Sequence, residues 1–109
     1  MNIMTGYNPT YDDSDLVVEE VLQAEDELLI EFGTPWCGHC KQALPVIESV
    51  MDEYSDVSHL KVFDGKGKRL GRHFSVKLWP TLILVRNGKE VGRVVRPDSE
   101  AELRDLLEQ

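Results

Sequence analysis

Residues 28–33 read Leu-Leu-Ile-Glu-Phe-Gly, apolar at neighbouring positions rather than at alternate or helically spaced ones. So short a run suits a strand better than a helix, and a strand with apolar groups on both faces must be covered on both faces. A fold that holds it therefore needs helices above and below a sheet. At 109 residues the chain is long enough for one such core and too short for two.

The flanking patterns supply the layers. Leu16, Val18, Val21 and Leu22 recur at helical spacing behind the acids Asp12 to Asp15, which suit a helix N-terminus. Leu44, Ile47, Val50, Met51 and Tyr54 give a second helix running on from Cys37, with Pro45 removing one backbone donor inside it and predicting a kink there. Ser58 to Phe63 reads as a strand, followed by a turn and a weak helix that sets Leu70 and Phe74 on one side. Thr81 to Arg86, the pair Asn87-Gly88 and the run from Lys89 form a hairpin, because both central turn residues must take positive φ. Ser99 and Glu102 stand in capping-box spacing before Leu103, Leu106 and Leu107, which predicts a last helix. Strands joined through helices are expected to be parallel and the hairpin antiparallel. The expected architecture is an α/β single domain over residues 1–109: a mixed sheet with one antiparallel edge, helices on both faces, and room for an edge strand near residues 2–5.

Charge narrows the partners. The formal net charge of -8 argues against a nucleic-acid backbone, whose phosphates require clustered Lys and Arg. Residues 1–56 hold thirteen acids against one base, Lys41, whereas residues 57–109 hold eleven bases against seven acids. The second half is either a solvated basic face or a docking face for an acidic partner. The start of the chain lacks a basic segment followed by a long apolar one, and no apolar run approaches the roughly 20 residues needed to span a bilayer. The expectation is a cytoplasmic monomer with no membrane partner.

The only two cysteines, Cys37 and Cys40, enclose Gly38 and His39. Two cysteines are too few for a disulfide framework, and a metal site would need further ligands than the isolated His59 and His73, which read as surface or core-edge residues. No metal and no cofactor is expected. Redox chemistry fits better. Cys37 lies where a strand gives way to a helix, so unpaired amides and the positive dipole end favour its thiolate, the form that attacks a disulfide. Cys40 lies one helical turn further and more buried, placed to resolve a mixed disulfide. A charged His39 between them would stabilise the reduced form.

Taken in order, Pro35-Trp36-Cys37-Gly38-His39-Cys40-Lys41 after Leu28 to Phe32, then Pro45, Leu78-Trp79-Pro80-Thr81 and the Asn87-Gly88 hairpin resemble the thioredoxin superfamily across nearly the whole chain. In length it is similar to a thioredoxin; in the words around its cysteines it resembles a catalytic domain of protein disulfide isomerase. The resemblance implies a thioredoxin fold and a thiol-disulfide oxidoreductase acting on protein disulfides, with a thioredoxin reductase or glutathione as electron donor. It implies that Pro80 is a cis-proline beside the cysteine pair, and that Trp36, Gly38, Trp79, Pro80, Thr81 and Arg96 face substrate. Glu31, cut off from water inside its strand, reads as a proton acceptor and donor for Cys40 through a water, burial favouring its neutral form. The resemblance adds Lys61 as its neighbour.

Two positions depart from the family pattern: Gly33 stands where thioredoxins commonly carry tryptophan, and Arg96 where they commonly carry glycine. Lys77 and Arg96 are both expected near the substrate groove. Thioredoxin runs about 90 mV more reducing than protein disulfide isomerase, about 4 kcal/mol for two electrons. His39 points toward the isomerase end and the unsigned N-terminus toward reduction. The expectation is a cytoplasmic reductase of protein disulfides, less reducing than an ordinary thioredoxin. The alternatives are an oxidase or isomerase outside the cytoplasm, and a binding module that uses the fold without turnover.

Overall fold

A computed structural model describes residues 1–109. Five strands alternate with four helices: β1 (Ile3–Thr5), α1 (Val18–Ala24), β2 (Glu27–Gly33), α2 (Gly38–Glu53), β3 (Ser58–Phe63), α3 (Arg69–His73), β4 (Thr81–Arg86), β5 (Lys89–Val95) and α4 (Glu100–Leu107). The strands form one sheet in the order β1-β3-β2-β4-β5. This is the expected α/β sandwich, with β2 at its centre.

The apolar run behaves as its composition requires. Leu28, Ile30 and Phe32 pack with Leu70 and Phe74 on the α1/α3 side, while Leu29 packs with Ile47, Val50, Met51 and Leu103 on the α2/α4 side. All four β2 residues are at most 1% exposed, each such burial stabilising by about 1.5–3 kcal/mol. Alternation then fixes the functional geometry. Glu31 and Gly33 share the face of Leu29 and therefore look toward α2. In β3 the same rule turns His59 and Lys61 to that face, with Lys61 directly opposite Glu31.

Two expectations need correction. The sheet has one parallel pair, β2 with β3; β1 with β3, β2 with β4 and β4 with β5 are all antiparallel. A parallel return must carry the chain back along the strand, about 20 Å for six residues, and the five residues of α3 rise only about 7.5 Å. β4 therefore starts near the end at which β3 finishes. The acids before α1 also serve a different element. Val17 caps α1, and Leu16 lies outside the helix. The Asp15 carboxylate accepts from the Arg69 N–H (2.9 Å) and pairs with its guanidinium, holding the start of α3 instead.

Local signals elsewhere translate directly. Asn87 (φ 53°) and Gly88 (φ 78°) make the hairpin turn, and the Ser99 side chain accepts from the Glu102 N–H at the start of α4. Pro45 sits inside an unbroken α2. No helix is long and apolar enough to cross a membrane.

Candidate functional site

The end of β2 hands the chain to α2 within four residues, and Cys37 is the N-cap of that sixteen-residue helix. Its Sγ accepts from the Cys40 N–H at 3.2 Å, so one of the unpaired amides of the helix start is aimed at the sulfur. Cys37 is partly exposed and Cys40 is 6% exposed; both are free thiols. Burial first, then the bond with Cys37, and also the nearby charges of Cys37 and Glu31, push the Cys40 thiol up to about 12. The arrangement gives one accessible sulfur with a donor on it and one sheltered sulfur a single turn away.

Cys40 sits over Gly33. A Cβ at Gly33 would lie 2.7 Å from the Cys40 sulfur and 3.4 Å from the Tyr11 hydroxyl, so the absent side chain is the space that Cys40 fills. Tyr11 donates to the Thr34 carbonyl (3.1 Å). Burial, followed by the charges of Glu31, Cys40 and Cys37, raises the Tyr11 phenol well above its ordinary value.

On the other side of Cys37 lies the segment before β4. The Trp79–Pro80 peptide bond is cis, and the Trp79 carbonyl oxygen is 4.0 Å from the Cys37 sulfur. That oxygen also accepts from Arg96 Nε at 2.8 Å. The Arg96 N–H in turn bonds the Pro80 carbonyl (2.9 Å), with Arg96 at φ 51°, a left-handed conformation that favours glycine. Thr81 is 1% exposed and donates to the Leu78 carbonyl (2.6 Å), closing the turn from within. Trp79 donates through its indole N–H to the buried Asp64 (2.9 Å). Trp36, 66% exposed, meets Phe63 edge-on. Gly38 and His39 are exposed, with open space where a Gly38 side chain would be.

Lys77 and Arg96 line separate clefts. One, about 350 Å³, runs between His39, Gln42, Val46 and Arg96. The other is bordered by Lys66, Lys68, Arg72, Lys77 and Trp79. A third, about 270 Å³, leads from solvent to Cys40 past Tyr11, Lys41 and Lys61.

Glu31, 2% exposed, does not line this third cleft itself but is paired with Lys61, which does. Its Oε2 is 3.9 Å from Lys61 Nζ, and its Oε1 is 2.9 Å from His59 Nε2. Burial alone favours a neutral acid, yet here each carboxylate oxygen faces a donor or a cation. Lys61 also lies 4.6 Å from the centre of the Tyr11 ring. His59 corrects the sequence reading, for it is fully buried rather than a surface or core-edge residue. The sequence reading also passed over Asn8, Tyr11 and Asp64. For His59 a signal existed: it stands two residues before Lys61 in the same strand, hence on the same face.

The thioredoxin family model matches residues 11–109. The chain belongs to the thioredoxin family. Among solved structures, thioredoxin 2 of Pseudomonas aeruginosa in its reduced form is 48% identical, with 90% of this chain and 91% of that one covered and a TM-score of 0.80. Thioredoxin 1 of Synechococcus elongatus is 30% identical over 83% of this chain and 85% of its own length. Thioredoxin H2-1 of Oryza sativa is 37% identical over 67% of this chain, which spans about half, 53%, of that longer protein. This member of the thioredoxin family is a thiol-disulfide oxidoreductase, and Cys37 and Cys40 form the close pair which that chemistry uses.

Proposed function

We propose that this chain reduces disulfide bonds in protein substrates, with Cys37 as attacking sulfur and Cys40 as resolving thiol. One observation carries the assignment: the accessible Cys37 sulfur accepts a helix-start amide while Cys40 is buried behind it. The Cys37 thiolate attacks one sulfur of a substrate disulfide, and the other leaves as a thiolate that takes up a proton. Cys40 then loses its proton and attacks Cys37 Sγ, the second substrate sulfur leaves, and a Cys37–Cys40 disulfide remains. Two electrons pass to the substrate. A thioredoxin reductase or glutathione would return them, in the cytoplasm, to a monomeric chain.

The groups around the pair have roles in this reading. Glu31 takes the proton of Cys40 through water in the cleft, with Lys61 offsetting its charge. The segment Trp79–Pro80, with Arg96 bonded to its carbonyls and the buried Thr81 bracing it from within, forms one wall of the substrate groove, and the exposed Trp36 and Gly38 give an extended chain its landing surface.

His39 supports a second reading. With Arg96 it lines one cleft beside the cysteine turn, and a protonated His39 there would favour the reduced form and make the disulfide more oxidising. That would suit an oxidase or isomerase acting outside the cytoplasm.

Reduction of insulin by NADPH and a thioredoxin reductase tests the first reading. The wild type is expected to turn over and Cys37→Ser to lose at least about a thousandfold in rate. Turnover retained by Cys37→Ser, or none in the wild type with either reductase or glutathione, contradicts it. Partner binding that carried the cellular role unaided by Cys37 would favour the binding module.

A further inference from the structure

His59 has no part in the sequence motifs, yet its ring is held at both nitrogens. It is fully buried on β3, with β1 on one side and β2 on the other. The Asn8 main-chain N–H donates to its Nδ1 at 3.0 Å. A ring nitrogen that accepts carries no proton, so the hydrogen of the neutral ring sits on Nε2 and is donated to Glu31 Oε1 at 2.9 Å. Asn8 fixes the arrangement from a second direction. Its side-chain amide donates to the His59 carbonyl (2.9 Å) and the Asn2 carbonyl (2.8 Å), and its oxygen accepts from the Thr10 N–H (3.0 Å). Asn8 is itself fully buried. A proton added at Nδ1 would have to break the bond from Asn8.

Building on the thiol-disulfide reading above, we infer that His59 is a positioning residue for the resolving step. By holding Oε1 with a neutral N–H donor, it fixes the orientation of the Glu31 carboxyl group and leaves Oε2 as the oxygen that receives the Cys40 proton. Cys40 S–H loses its proton through water to Oε2, its electron pair forms the bond to Cys37 Sγ, and the substrate sulfur leaves with the electrons of the broken mixed disulfide. Lys61 faces the same carboxylate, and the remaining titratable groups around it are Tyr7, Tyr11 and Cys40. Glu48 and Asp52 of α2 act on Tyr7. Both tyrosines are held neutral by burial and by Glu31, so Lys61 is the one other charge that competes for its oxygens.

Loss of the Nε2 donor leaves Oε1 buried without its hydrogen-bond partner and frees the carboxyl group to turn, so Oε2 is no longer fixed as the proton acceptor. The test is the pH profile of the resolving step, followed as single-turnover release of substrate thiol. In His59→Leu the resolving step is expected to slow by about tenfold, because Oε2 is no longer held toward the Cys40 proton. Formation of the mixed disulfide, measured in a Cys40→Ser background, should be unchanged. His59→Gln, which keeps a donor and an acceptor, should restore the profile. A His59→Leu profile that overlays an active wild type overturns the role of His59 alone, whereas a wild type without turnover overturns the thiol-disulfide reading with it. Nitrogen-15 NMR of the wild type gives a readout independent of folding in any variant. The Nε2–H tautomer from pH 6 to 8 supports the inference; an imidazolium or an Nδ1–H ring overturns it.

Discussion

Gly33 owes its identity to a neighbour on another element. The Cys40 sulfur stands where its Cβ would project, and close packing leaves no slack for an added methyl. Gly33→Ala should therefore displace the resolving sulfur and slow attack on the mixed disulfide by about ten- to a hundredfold, since misplacement of a reacting atom by an ångström costs about that much. Trapping the intermediate by acid quench and mass spectrometry measures it; an unchanged lifetime would contradict the packing account. Cys40 also makes a prediction about pH. Its thiol is raised from 9.0 to about 12 in the fold, so above pH 9 the unfolded chain ionises Cys40 while the folded chain does not. The folded state then binds more protons, and stability falls as pH rises from about 9 to 12. Thermal unfolding of the reduced protein should show a steeper loss across that window than Cys40→Ala shows. Parallel curves would contradict the shift.

At the scale of elements, the readable parts were those with local causes. The Asn87-Gly88 turn follows from positive φ at both residues, and the cap of α4 from Ser99 with Glu102. Gly88→Ala, placing a side chain at φ 78°, should destabilise by about 1–2 kcal/mol and lower the melting temperature by several degrees, read by calorimetry. Features with distant causes were not readable. The antiparallel pairing of β2 with β4 depends on how short α3 is, and α3 was the weakest periodic signal. The acids at residues 12–15 precede α1 in sequence, yet Asp15 caps α3, 54 positions on. The cysteine pair and its strand-to-helix setting could be read because they lie within one short stretch. The bond of His59 to Glu31 joins two strands; the spacing to Lys61 places His59 on the right face, but the partner comes from a register that only the fold sets.

For the molecule as a whole, the asymmetry of charge has a spatial counterpart. Arg69, Arg86, Arg93 and Arg104 are taken up in ion pairs with Asp15, Glu27, Glu90, Glu53 and Glu100. Lys66, Arg72, Lys77 and Arg96 are exposed without such partners, and they line the two clefts beside Trp79 and His39. The exposed apolar residues Trp36, Leu78 and Val95 accompany them. A chain of net charge -8 thus keeps unpaired cations around its thiols. Disulfide peptides with glutamates beside the cysteines should have a lower KM than lysine counterparts. The gap should close as salt shortens the screening length from about 30 Å at 0.01 M to about 8 Å at 0.15 M. Equal KM values at low salt would mean that the basic residues are a solvated face.

If electrons flow from this pair to protein disulfides, the equilibrium potential of Cys37 and Cys40 against glutathione must lie on the reducing side. The expected value lies between the roughly -270 mV of thioredoxin and the roughly -180 mV of protein disulfide isomerase, His39 lifting it above the former. A potential near the roughly -120 mV of a dedicated oxidant would contradict it and turn the flow of electrons around.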